Sequence, residues 1–201
     1  GREHVRRWWR DPVERDIAEI TEALEGREPT EYYAILRDDR PIGLIQSYRV
    51  ADYPDWEEVV RVGPGAVGLD LLIGEVDAVG RGLGPLVLAD FARTIAFADP
   101  GATAVVATVE EENRRSWRAF EKAGFRHLRD VEEDGLPHRL MRLDRPGGVL
   151  GVLGEGGRQV GEEAPLRSDH QAAPVDTAVV EVGAVLELPS GEIAGRREPS
   201  D

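Results

Sequence analysis

The run Gly80-Arg81-Gly82-Leu83-Gly84, followed at once by Pro85, restricts the fold of this chain more than any other segment. It joins a strand-like stretch, Val67 to Ile73 (VGLDLLI), to an apolar helical stretch, Leu86 to Ala98 (LVLADFARTIAFA). Alternate glycines remove Cβ atoms from the turn and leave successive N–H groups open at a helix start, a geometry that receives phosphate oxygens. Pro85 suits a first helical turn, where its missing N–H is not needed. Two other phosphate loops are excluded. Leu83-Gly84-Pro85 is not the Gly-Lys-Ser/Thr end of a Walker loop, and Pro85 stands where a dinucleotide fingerprint needs its third glycine.

Around this loop the sequence alternates strands and helices. Asp11 to Leu24 places Val13, Ile17, Ile20 and Leu24 at helical spacing, with Asp11 as expected N-cap and Pro12 at the first helical position. Tyr32–Arg37 and Pro41–Val50 read as a hairpin turning at Asp38-Asp39-Arg40. Ala102–Val109 (ATAVVATV) reads as a buried strand, Asn113–Ala123 as a helix ended by Gly124, and His138–Leu143 as a closing strand. A hairpin followed by β-α-β-α-β units implies a mixed α/β fold, its mostly antiparallel sheet containing one parallel pair flanked by helices.

All of the four Trp, four Tyr and four Phe lie at or before Phe125. Residues 1–145 are therefore read as the folded domain, and 146–201 as a Gly-, Pro- and acid-rich tail with too little apolar surface to order itself. Thr177 to Ala194 is the exception, alternating like a hairpin about Pro189-Ser190-Gly191. The 25 basic and 39 acidic residues give a formal charge of −14. That charge repels phosphate backbones and anionic lipid, so no nucleic acid or membrane partner is expected, and a cationic small molecule fits better. The absence of cysteine excludes disulfides, thiolate metal sites and cysteine nucleophiles, and four scattered histidines point to no metal. No apolar run approaches the ~18 residues of a membrane span, and no signal peptide is visible. A cytoplasmic location is expected; the oligomeric state is not legible.

The second informative block is Asn113-Arg-Arg-Ser116-Trp-Arg-Ala-Phe120-Glu-Lys-Ala-Gly124-Phe125. With the glycine loop it resembles motifs A and B of the GNAT acetyltransferases, with Val79 in place of the family's usual Arg or Gln. His4 to Trp9, Pro41 to Tyr48, Asp55 to Glu58, Gly68-Leu69-Asp70 and Asp134-Gly135 narrow the resemblance to the aminoglycoside 6′-N-acetyltransferases, over His4 to Arg145. It implies the GNAT fold, with a first strand ahead of residue 1 that this sequence lacks, and acetyl-CoA as co-substrate. It also implies transfer of acetyl to a primary amine of a cationic small molecule, and so antibiotic resistance. Leu72, Ile73, Gly80, Arg81, Gly82, Leu83, Gly84, Asn113, Ser116 and Phe120 would meet the cofactor.

Acetyl transfer needs an amine stripped of its proton, donors for the oxyanion and a proton for the departing thiolate. Asp70 is the expected base or amine-positioning group, and a backbone N–H within Leu71 to Ile73 the expected oxyanion donor. Trp8, Trp9, Tyr48, Trp56, Glu57, Glu58, Glu110 and Asp134 are the expected substrate contacts, Trp56 to Glu58 lying on a Val50–Gly65 loop too long for an idle connector. Two positions depart from the pattern. Phe120 replaces the tyrosine that gives the thiolate its proton, and Thr108 replaces an Asp. Two alternatives stay open: a siderophore-type lysine N-acyltransferase, in which the Asp70 position tends to be His, and a non-catalytic module binding CoA or a cationic drug.

Overall fold

The computed structural model describes residues 3–147, and the backbone of one further strand at 177–181. The sheet consists of β1 (Glu31–Arg37), β2 (Arg40–Arg49), β3 (Ala66–Ile73), β4 (Ala104–Glu110), β5 (Arg126–Glu133), β6 (Leu136–Asp144) and β7 (Thr177–Glu181). The helices are α1 (Glu3–Arg6), α2 (Val13–Leu24), α3 (Pro54–Val60), α4 (Leu83–Thr94) and α5 (Arg114–Lys122). The sheet order is β5-β6-β4-β3-β2-β1-β7. Among the described strands only β3 and β4 run parallel, so the mostly antiparallel sheet with one parallel pair is as expected.

Local chemistry explains most of these elements. Asp38 and Asp39 sit at φ 50° and 58°, the left-handed pair that a tight hairpin turn requires and that Asp tolerates. β4 is apolar on both faces because helices or loops cover both. Val105, Ala107 and Val109 join Leu69, Val87, Leu88, Phe91 and Met141 in the main core, which α4 and α5 cover. Val106 points the other way, into a smaller core with Val50, Val60, Ala66 and Leu140 beneath α3.

Several elements differ from the sequence reading. α4 begins at Leu83 rather than Leu86, so Pro85 falls within the first turn, where backbone N–H groups still lack intrahelical acceptors. It stops at Thr94, and Ala96–Ala98 is a separate 3-10 turn. At α2 the capping residue is Pro12; Asp11 pairs instead with Arg15 at 3.3 Å. The apolar spacing of α2 is real, yet Val13 (50% exposed), Ile17 (59%) and Leu24 (39%) have no cover among the described residues. β5 (RHLRDVEE) escapes sequence reading because a charged edge strand with a register shift between His127 and Arg129 shows no alternation. The Val50–Gly65 loop holds a 3-10 turn and α3, which Pro54 opens. The first half of the expected 177–194 hairpin is a strand, but it runs antiparallel to β1 from Thr177↔Arg37 to Glu181↔Tyr33. The return half, and 148–176, lie outside the described residues.

Candidate active site

The site begins where the parallel pair comes apart. β3 and β4 pair at Ala66↔Ala104, Val67↔Val105 and Gly68↔Val106. Beyond that, β3 continues along β2 to Gly43↔Ile73, while β4 runs with β6 to Glu110↔His138. The Gly74 N–H donates to the Ile42 carbonyl at 2.8 Å, so even-numbered residues here turn their backbone toward β2. The alternation of a strand then turns Leu71 and Ile73 into the cleft. Leu72, expected beside the cofactor, instead aims its carbonyl at Gly43, where a Cβ would lie only 2.2 Å from it. The N-terminal segment reaches both strands at the cleft's wide end. The His4 ring stands 3.3 Å from the Ile73 carbonyl, and Arg10 pairs with Glu110 at 2.8 Å.

Asp70 sits two residues past Gly68, the last position at which β3 pairs with β4. Across β2 it faces Gln46, which in turn faces Tyr32 of β1, giving a polar rung over three strands. Gln46 Nε2 donates to Asp70 Oδ2 at 3.0 Å, and the Tyr48 hydroxyl donates to the same oxygen at 3.3 Å. Burial pushes the Asp70 carboxyl above its ordinary value; Glu133 adds to the rise, and the two donors oppose it. Burial, with this carboxylate adding to it, also raises Tyr48 well above the usual phenol value, and burial with Glu19 nearby raises Tyr32 to about 12. Tyr48 is therefore a hydrogen-bond donor, not a base. Its ring meets Tyr53 edge-on at 5.0 Å and Trp56 at 5.4 Å, so α3 forms an aromatic wall over Asp70.

The glycine loop lies beside the cleft. Gly80 and Gly82 take φ +77° and +79°, and a Cβ at either would meet nothing within 4 Å. The glycines thus serve conformation while leaving the space above them open. Gly82 caps α4, and Leu83 turns its side chain into the core at 2% exposure, so the first turn presents backbone to that space. Gly84 lies 3.5 Å (as a notional Cβ) from Ala119 of α5, which brings the two sequence blocks together. Asn113 caps α5, its Oδ1 accepting from the Ser116 N–H at 3.2 Å. Phe120 is 3% exposed and packs edge-on against Phe125 at 5.0 Å, a core position. Open donors at a helix start suit a diphosphate, and the Leu71 and Ile73 N–H groups, turned away from β2, suit an amide-bearing arm.

The other expected contacts separate. Trp56 stands on the Tyr48 wall. Trp8 and Trp9 are half-buried near the His4 end, Trp9 Nε1 donating to Asp16 at 3.2 Å and Arg7 lying over Trp8. Glu57 is half-buried, but Glu58 lines a different, open groove of about 630 Å³ with Arg61, Arg129, Asp130 and Glu132. Glu110 already has Arg10 as partner, and Asp134 (φ 52°) is an exposed turn residue with Gly135. Sequence reasoning missed Glu133, which acts through space on both Asp70 and Tyr48. It also missed Gln46 as a donor to Asp70; the alternation of β2, which puts Gln46 on the face of Tyr48, is the signal that would have found it.

These features match known proteins closely. The acetyltransferase (GNAT) domain family matches residues 1–133. An aminoglycoside N(6′)-acetyltransferase type 1 of Klebsiella pneumoniae is 33% identical over 133 residues, which is 62% of this chain; the chain spans 64% of that relative's length. The aminoglycoside acetyltransferase AAC(6′)-Ib, solved with coenzyme A and kanamycin, superposes with a TM-score of 0.63 at 29% identity, covering 72% of this chain and 84% of that one. An aminoglycoside N(6′)-acetyltransferase from Legionella pneumophila gives a TM-score of 0.54 at 26% identity, over 71% of this chain and 80% of that one. The family match spans the splayed parallel pair, the glycine loop at the start of α4 and Asn113 at the start of α5, and the chain belongs to the GNAT acetyltransferases.

Proposed function

We propose that this protein transfers the acetyl group of acetyl-CoA to a primary amine of a cationic small molecule of the aminoglycoside class, in the cytoplasm. The observation that carries the reading is Asp70, a carboxylate held by Gln46 and Tyr48 in a half-buried pocket at the mouth of the splayed strands. A carboxylate there attracts an ammonium, orients it and takes up its proton. The relatives named for aminoglycoside acetylation, one of them solved with kanamycin, support the substrate class.

The chain's own groups divide the work. Amides from Gly80 to Gly84 hold the diphosphate, with Arg81 adding charge. The Leu71 and Ile73 N–H groups bind the arm and the developing oxyanion, and Asn113 and Ser116 border it. Tyr48, Trp56 and Glu57 wall the amine, with Trp8, Trp9, Glu110 and Asp134 around the entrance; Glu58 stays outside. Acetyl-CoA, when bound, supplies an activated thioester. Phe120 has no proton to give, so water protonates the thiolate.

The test is thiol release from acetyl-CoA with purified protein and kanamycin, beside free lysine. Release with kanamycin alone supports the assignment. Release with lysine alone favours the siderophore-type alternative, and CoA binding without release to either amine leaves a binding module.

A further inference from the structure

The carbonyl end of α3 is held from outside in a way that the reading above does not use. The last carbonyls of a helix lack intrahelical donors, and here each of several has a guanidinium or a backbone amide. The Arg61 N–H donates to Glu57 O at 2.8 Å, and its Nε to Glu58 O at 2.9 Å. Arg129 of β5 donates to Val60 O through Nη2, and the same nitrogen lies 3.4 Å from Arg61 O. Arg142 of β6 reaches Val62 O at 3.0 Å, while its Nε donates to Asp144 at 2.7 Å.

Two backbone irregularities belong to this arrangement. Arg61 takes the left-handed conformation (φ 38°), an unfavourable place for a non-glycine residue that surrounding contacts must hold. On the other side, β5 pairs His127 with Met141 and Arg129 with Leu140, leaving Leu128 as an extra residue. Such a bulge re-aims side chains. Leu128 packs on the Val60–Leu140 core while Arg129 still reaches the end of α3. Arg129 makes no ion pair with Glu58, Asp130 or Glu132 among the described residues, although all four border the same groove. Its bonds go to carbonyls.

Resting on the functional reading above, we propose that Arg129, backed by Arg142, is a positioning residue for the amine substrate. It pins the end of α3 to the bulge of β5, and so fixes Trp56 against Tyr48, whose hydroxyl holds Asp70. The acetyl-CoA side of the cleft, built from the glycine loop, α4 and the end of β3 beyond Asp70, lies outside this chain of contacts. Loss of Arg129 therefore acts on the amine and spares the cofactor.

The experiment compares the full chain with Arg129→Met, which keeps length without donors, and Arg129→Lys, which keeps a donor. Three quantities are read: amide hydrogen exchange across Trp56–Arg61, KM for kanamycin and for acetyl-CoA, and the titration midpoint of Asp70 by side-chain NMR. In Arg129→Met, exchange in α3 speeds at least tenfold and KM for kanamycin rises at least fivefold, while KM for acetyl-CoA stays within twofold. The Asp70 midpoint falls, because water entering beside Tyr48 relieves the burial that is the largest cause of its rise. That relief outweighs the smaller upward effect of a weakened Tyr48 bond, with Glu133 and Tyr32 still facing the carboxyl. Arg129→Lys recovers part of each change. Unchanged exchange, or two KM values rising together, or a faster α3 with an unmoved Asp70 midpoint overturns the proposal. A parent chain that releases no thiol overturns the functional reading instead, and the exchange and titration arms still decide the role of Arg129.

Discussion

The Tyr48 ring lies over Gly68: these residues face each other across β2 and β3, and a Cβ on Gly68 would fall 2.4 Å from Tyr48 Cε2. The seat of the phenol that donates to Asp70 is therefore a missing side chain on the same strand as Asp70. Gly68→Ala should push the ring off this seat and stretch its bond to Asp70. We expect kcat/KM for the amine to fall by about tenfold, roughly 1.4 kcal/mol in the transition state, with acetyl-CoA binding intact. Steady-state kinetics and calorimetry check the two halves.

Asp70→Asn separates activity from stability. Loss of the base should cost ~10²–10⁴ in rate. Stability should move the other way at neutral pH. The folded carboxyl is raised above its unfolded value, so its favourable contribution is complete at acid pH and is lost as pH rises through the raised value. Asparagine has no charge to desolvate, and its melting temperature should exceed the parent's at pH 8. The gap should close near pH 4, around the ordinary Asp value of ~3.9. Equal melting temperatures at both pH values would show that Asp70 is solvated as an ordinary surface carboxylate.

Glu133→Gln tests the residue that acts through space on Asp70. Burial is the larger cause of the raised Asp70 value and Glu133 a contributing one. Removing that like charge should shift the acid limb of the kcat/KM profile to lower pH, leaving the plateau rate within about threefold. A limb that stays in place would mean that another group titrates.

Gly82→Ala examines the loop. The added methyl meets nothing within 4 Å, so only the left-handed conformation (φ +79°) opposes it. That conformation costs an L-residue roughly 1–2 kcal/mol. The expected result is a CoA affinity about tenfold weaker, 1.4 kcal/mol, as the first-turn amides lose their aim. Calorimetric titration with CoA measures it, and unchanged affinity would place the diphosphate elsewhere.

Some of this protein was legible in one dimension, because the determinants are local. The Asp38-Asp39 turn, the apolar run of β4, the helix start at Asn113 and the glycine loop each depend on neighbours within a few residues, and each stands within about three residues of where the sequence placed it. Asp70, a carboxylate on an apolar strand, was singled out through its resemblance, and its role as base is part of the proposal. Its partners were not. Gln46 comes from another strand and Glu133 from an edge strand whose charged, bulged pattern hides it; Trp56, which packs on Tyr48, comes from a helix inside what reads as a loop. They meet where β3 leaves β4 after Gly68, beside an α3 whose last carbonyl accepts from Arg129 of β5. Local backbone preference writes turns, caps and core strands into short stretches of sequence; the electrostatics of a half-buried carboxylate depend on distances between residues far apart in the chain, and only packing sets those.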